Sequence, residues 1–227
     1  MTTIAIVGAG PGLGAAVARR FGREGFDVAL LSRRRERAEG LAADLAGSAE
    51  LTDRGVRTRG FAADVRDPAS LARALESATE DLGPIEVLQY SPAPQKDFLR
   101  PVLETTPADM VGPLEFSIHG PMAAVHQVLP GMRFLGRGTV LFVNGGSAAR
   151  PSGGVAGTSI AFAGQSAYAQ MLHDAVVDDG IHVAQLIVPG AISAGHPRKD
   201  PSVLAELLWS MHRDRSGLRT FAEPLDV

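Results

Sequence analysis

Four glycines alternate through Gly8-Ala9-Gly10-Pro11-Gly12-Leu13-Gly14, between a run that reads as a strand and one that reads as a helix. Glycine permits positive φ and lets main-chain amides approach a ligand, and a helix N-terminus favours negative charge. The chemistry such a turn performs is to cradle a pyrophosphate, so dinucleotide binding is expected here. The next strand ends at Ser32-Arg33-Arg34-Arg35. An acid at that place would hold the ribose hydroxyls of NAD. A hydroxyl beside guanidinium groups suits a 2′-phosphate instead, which favours NADP(H) over NAD(H). Arg33 and Arg34 are the expected contacts, while Arg35 and Arg37 read as the solvated start of a helix. Asp64-Val65, closing the third strand, would flank an adenine.

Groups able to move a proton or orient a carbonyl are few. Tyr90 and Ser91 end the fourth strand, and Tyr90 is the one phenol placed to reach a pocket beside the glycine turn. Asn144 and Ser147 end the fifth, and Asn144 could orient a carbonyl or water. His119 and His126 are seven apart, not the i, i+4 spacing of a helical metal pair, and read as solvated or interface histidines, as do His173 and His182. His196 reads as an exposed loop histidine and Arg150 as a surface arginine. No metal cluster and no Ser/His/Asp spacing for a hydrolase emerges.

Short apolar runs alternating with longer amphipathic ones must position these groups, the pattern of βα units on a parallel sheet. Strands are expected at Thr3–Gly8, Asp27–Ser32, Val56–Ala62, Ile85–Tyr90, Thr139–Asn144 and Ile181–Val188. Helices are expected at Gly12–Glu24 and Arg34–Asp53, from Pro68 with Asp67 as cap, from Thr106-Pro107, from Ser147 to about Val177 after a long loop, and at Pro201–Arg213. Gly112-Pro113 and Gly120-Pro121 should break or kink the fourth helical region, and Pro130-Gly131 should end it. The expected architecture is a single α/β domain over 1–227, a doubly wound parallel sheet of six strands, with a seventh in question. A cofactor half spans about 1–92 and a substrate half about 93–227. In such sheets ligands sit where the strand order reverses, between strands one and four.

Composition bounds the partners. With 22 Lys+Arg against 25 Asp+Glu the net charge is −3, which argues against nucleic acid or an anionic membrane as partner. No apolar run approaches the roughly 20 residues of a membrane span. The absence of cysteine removes thiol catalysis and thiolate metal sites and fits a reducing cytoplasm. The opening residues are expected to enter a strand directly, with no signal peptide.

Several residues in register resemble the short-chain dehydrogenase/reductase family. Gly8-x-x-x-Gly12-Leu13-Gly14 is similar to its glycine turn, Arg33 to its NADP-type basic position and Asp64-Val65 to its adenine contact. Pro189-Gly190-Ala191-Ile192-Ser193 resembles the family's segment beside the nicotinamide, which implies cofactor contacts from Pro189, Gly190 and Ile192. Gly138 to Val143 resembles the approach to its active-site serine. The resemblance covers residues 3 to about 193 and implies a Rossmann-type fold, a nicotinamide cofactor, a small-molecule substrate and a homodimer or homotetramer.

The catalytic pattern departs from the family's. In register, its Asn falls on Ser117, its Ser on Gly145, its Tyr on Thr158 and its Lys on Phe162. Its motif after strand four becomes Tyr90-Ser91-Pro92-Ala93. Losing a positioned acid forfeits roughly 10²–10⁴ in rate. Tyr90, Asn144, Ser147 and Thr158 are therefore the candidate catalytic groups. The leading expectation is an NADP(H)-binding oxidoreductase acting on a small carbonyl or enone through a non-standard donor. The alternative is the same scaffold without redox turnover, as an isomerase, lyase, cyclase or cofactor-binding protein.

Overall fold

Runs that are apolar on both faces are buried between two layers, and the predominantly apolar β1 (Thr3–Val7), β4 (Ile85–Tyr90) and β6 (Ile181–Val188) are buried at every residue. The computed structural model describes residues 1–225, so the last two residues of the expected 1–227 domain lie outside it. With β2 (Asp27–Ser32), β3 (Thr58–Ala62), β5 (Gly138–Gly145) and β7 (Arg219–Phe221), these strands make one seven-stranded parallel sheet in the order β3-β2-β1-β4-β5-β6-β7. The order reverses between β1 and β4, whose C-terminal ends define the crevice where such sheets bind ligands.

Helices cover both faces. On one lie α1 (Leu13–Gly22), α2 (Arg35–Ala46), the single turn α3 (Ala49–Thr52) and, last in the chain, α8 (Pro201–Asp214), around Ile4, Ile6, Phe21, Leu30 and Leu208. On the other lie α4 (Pro68–Leu82), α6 (Gly120–Leu135) and α7 (Ala156–Val176), around Val7, Leu75, Leu88, Phe142 and Ala169. The Asp67 carboxylate accepts from the Ala69 and Ser70 amides, both at 3.0 Å, and Pro68 follows it at the first helical position. That is the start the sequence indicates.

Four details differ from the sequence reading. The second helix is split at Gly47-Ser48 into α2 and α3. The third strand begins two residues late, at Thr58. A seventh strand does form: Gln185 donates to the Leu218 carbonyl and Ala222 to that of Ile187, enough to add three residues to the sheet edge.

The fourth difference matters most. The glycine-proline pairs interrupt the helical region only by a π turn, and Pro130-Gly131 does not end it. It runs from α5 (Val111–Leu114) through a π turn at Glu115–His119 into α6, which continues past Pro130 to Leu135. Pro121 falls in the first turn of α6, directly after the π turn, so its missing N–H costs a single helical bond, the one to the Phe116 carbonyl. Pro130 sits in the last two turns, where only one helical bond is lost.

Candidate active site

The glycine turn is pinned from two sides. The Gly8 and Ala9 amides both donate to the Leu31 carbonyl, at 3.0 and 2.9 Å, tying the turn to the end of β2. The Ser91 amide donates to the Val7 carbonyl at 3.0 Å, which brings the chain after β4 across the turn. Gly8 has φ of 87°, and a Cβ there would overlap Pro92 Cα, so glycine alone fits. At Gly10 and Gly12 a Cβ would meet nothing within 4 Å, so the main chain faces open space. The first turn of α1 carries no acidic side chain and no side-chain cap. Such a helix start can hold an anion.

The space beside Gly10 joins a cleft of about 640 Å³ lined by Gly8, Ala9, Gly10, Leu31, Ser32, Arg33, Arg34, Arg37, Ala63, Val65, Pro92, Ala93 and Phe116. Arg33, Arg34 and Arg37 form no ion pair with a carboxylate among the described residues. Three cations rimming an adenosine-sized cleft suit a phosphorylated ribose. Ser32 Oγ donates to the Arg34 carbonyl at 2.9 Å and so shapes this corner. The chain therefore has a cradle and charges that fit NADP(H).

Not every expected cofactor residue lines this cleft. Asp64 is exposed, and its carboxylate accepts from the Arg66 amide at 3.0 Å, so Val65 alone of that pair forms the wall. Pro11 and Gly12 open on a neighbouring hollow between α1 and α8. Leu13 and Gly14 begin α1, with Gly14 packed on Ala9. Pro189 lies instead against Gly146 at the end of β5, and Gly190 faces the Lys199 ammonium. Ile192 is exposed in the loop beyond. Lys199 Nζ donates to the Pro189 carbonyl at 3.2 Å and pairs with Glu223 at 2.6 Å, closing that loop. His196 is half-buried, its Nδ1 accepting from the Arg198 and Lys199 amides, which corrects its reading as an exposed histidine.

Arg37 and Phe116 were missed. Arg37 lies three and four residues beyond Arg34 and Arg33 at a helix start, a spacing that puts it on their face. Phe116 reaches the cleft only through the π turn, which no local signal announces.

The proton-moving candidates are turned inward. Tyr90 is 2% exposed, and its hydroxyl donates to the Phe116 carbonyl at 2.6 Å, away from the crevice. Burial, and then the Asp64 charge, hold its phenol above the usual range. This corrects its reading as a pocket phenol: Tyr90 shares a face with Leu88, and that face packs on α6. Asn144 is also withdrawn from the ligand side. Its amide donates to Gln165 Oε1 at 2.6 Å and its carbonyl accepts from Gln185 Nε2 at 2.8 Å. Gln185 Nε2 also donates to Ser166 Oγ at 2.7 Å, and its Oε1 accepts from Arg219 Nε at 2.9 Å. These groups bond one another inside the protein, and of their polar atoms only Gln165 Nε2 is buried without a partner among the described residues.

Thr158 and Ser147 remain. Thr158 is 6% exposed, and its hydroxyl has no hydrogen-bond partner among the described residues. Ser147 is half-buried in a 3₁₀ turn, Gly146–Ala148. Phe162 packs with Ala148 and Ile187, and a Cβ on Gly145 would lie 3.7 Å from its ring. An apolar ring thus faces the end of β5. His119 and His126 are exposed.

The short chain dehydrogenase family model matches residues 2–202. The chain belongs to the short-chain dehydrogenase/reductase family. Among relatives of this family, Oxidoreductase UcpA of Escherichia coli O157:H7 is 30% identical over 99% of this chain and 84% of its own. D-threitol dehydrogenase of Mycolicibacterium smegmatis is 34% identical over 61% of this chain and 50% of its own. The crystal structure of L-sorbose reductase from Gluconobacter frateurii, complexed with NADPH and L-sorbose, superposes with a TM-score of 0.85 at 20% identity, covering 97% of this chain and 94% of that one. This likeness confirms the family's Rossmann-type fold. No helix among the described residues is long and apolar enough to cross a membrane.

Proposed function

We propose that this family member binds NADP(H) in preference to NAD(H) and reduces a small carbonyl or enone by a non-standard proton route. The observation that carries the reading is the cleft rimmed by Arg33, Arg34 and Arg37 beside the open cradle at Gly10 and Gly12. A bound NADPH would supply the hydride. Reduction of a carbonyl then needs one proton at the oxygen. The Thr158 hydroxyl, buried and without a partner among the described residues, stands at the position that the resemblance gives to the family's tyrosine and would donate to that oxygen were the substrate to reach it. Its pKa is too high to release the proton unaided. The proton is passed from water by the Ser147 hydroxyl, or comes from an acidic group of the substrate itself. Without an ammonium at Phe162, the ring instead lends an apolar wall, which suits a substrate of low polarity.

The assembly we propose is a cytoplasmic homodimer or homotetramer. Exposed apolar side chains on the outer helices, Phe134 at 91% and Met171 at 62%, support association.

Fluorescence titration with NADPH and NADH tests the cofactor half of the proposal. NADPH should bind about tenfold more tightly, and Arg33→Ser should bring the two level. Equal affinities in the unaltered protein would remove the preference. Loss of NADPH absorbance with simple ketones, aldehydes or enones tests the chemistry. Tight NADPH binding with no oxidation by any of them would defeat the redox reading.

A further inference from the structure

We propose that Tyr90 is a positioning residue: its phenol holds the π turn of residues 115–119 so that Phe116 and Val65 form one wall of the cofactor cleft. The proposal rests on the NADP(H) reading of that cleft.

It starts from an arithmetic of backbone bonds. In a regular α-helix the Phe116 carbonyl would accept from the Gly120 amide, four residues on. In the π turn the Gly120 amide bonds the Glu115 carbonyl instead, five residues back. In that register the Phe116 carbonyl would need the amide of residue 121, and residue 121 is proline, which has none. A carbonyl left so would be buried without a partner, since Phe116 is 5% exposed. The Tyr90 hydroxyl fills the vacancy, donating at 2.6 Å from the far side of the sheet–helix interface.

Gly120 makes the room. A Cβ there would stand 2.5 Å from Tyr90 Oη and 2.5 Å from the Val65 carbonyl. The phenol, the π turn and the end of the third crossover strand therefore meet at one point, directly behind two residues of the cleft lining. Outside that point, Arg66 Nε donates to Glu115 at 2.8 Å and ties the same turn to the same loop. Pro121 removes a donor, Tyr90 replaces it and Gly120 admits it. The three residue types make one device, and its output is the placement of Phe116.

The test is Tyr90→Phe, with Pro121→Ala as its partner. Tyr90→Phe keeps the ring in the core and removes only the donor, so it should fold. Well below its melting temperature, its Kd for NADPH should rise about fivefold. The KM for cofactor should rise with it, while kcat at saturating cofactor stays unchanged. A proton donor would behave in the opposite way, losing kcat by roughly 10²–10⁴ at constant KM. Pro121→Ala restores an amide that can serve the Phe116 carbonyl, so in that background Tyr90→Phe should raise Kd by less than twofold. A merely structural tyrosine would lower the melting temperature equally in both backgrounds and leave Kd alone. Unchanged NADPH affinity in Tyr90→Phe overturns the strut and leaves the cofactor reading standing. Absence of NADPH binding in the unaltered protein overturns both.

Discussion

The crevice has two halves built on opposite principles. At the ends of β1 and β2 the polar groups at the surface are main-chain amides and guanidinium groups, and they face outward: Gly10 and Gly12 border empty space, and Arg33, Arg34 and Arg37 hold no carboxylate among the described residues. At the ends of β4 and β5 the polar side chains face inward. Tyr90 bonds the Phe116 carbonyl, and Asn144, Gln165, Gln185 and Ser166 bond one another. A polar group satisfied within the fold has no spare valence for a ligand, whereas an unsatisfied one at a cleft does. The contrast teaches where to look for function. Changes in the first half should register as binding and changes in the Asn144–Gln165–Gln185 network as stability, with Tyr90, which stands behind the Phe116 wall of the cleft, as the one link between them.

The largest effect that would sharpen this contrast is expected at Gly8, where the two readouts coincide. Gly8→Val places a β-branched side chain at φ of 87° and drives it into the chain at Pro92. Backbone strain and overpacking together should remove about 4 kcal/mol. NADPH binding should be lost even in the fraction that folds, because the turn must move off Leu31. Urea unfolding and titration on the same sample check both. A variant that binds NADPH normally would show that the turn is not the cradle.

The legibility of the two halves differed for the same reason. The glycine turn, the Arg33 corner and the Asp67 cap depend on residues within a few positions of each other, so spacing alone reveals them. β1, β4 and β6 were equally plain, because a strand buried on both faces is predominantly apolar, here interrupted only by isolated polar residues such as Gln89 and Gln185. Asn144 meets Gln165 and Gln185 across 21 and 41 residues, and Tyr90 meets Phe116 across 26. No local pattern encodes those meetings. Alternation along β4 does place Tyr90 on the face of Leu88, yet only the π turn supplies its partner. Phe116 and Arg37 were missed for related reasons: one needed the π turn, and the other looked like any solvated charge at a helix start.

Asn144 offers the next largest test. Asn144→Leu is close in volume but leaves Gln165 without any hydrogen bond, since its Nε2 is already unpartnered, and takes one bond from Gln185. Stranding buried amides in this way should remove about 3 kcal/mol of stability. NADPH affinity should stay within twofold, measured well below the unfolding midpoint. A large loss of affinity with stability intact would place Asn144 on the ligand side and collapse the distinction between the halves.

The smallest effect is at the foot of the second half, and it appears only in acid. His182 opens β6 beside His173, with ring centroids 5.8 Å apart, and its Nε2 has no partner among the described residues. Burial first, then the charges of His173, Arg215 and His212, lower its pKa from 6.5 to about 4. Above pH 6.5 the imidazole is neutral folded or unfolded and contributes no pH dependence. As pH falls from there towards 4, the unfolded chain takes up a proton that the folded protein refuses, so stability declines, by up to about 1.4 kcal/mol per pH unit. Over that interval the loss is at most about 3 kcal/mol and solvent screening brings it to roughly 2, and below about pH 4 both states are protonated and this loss stops growing. His182→Leu should flatten the urea midpoint between pH 6.5 and 4 while leaving NADPH affinity at neutral pH untouched. An unchanged acid slope would assign the loss to other groups. A change in neutral-pH affinity would mean that the foot of the sheet communicates with the cleft.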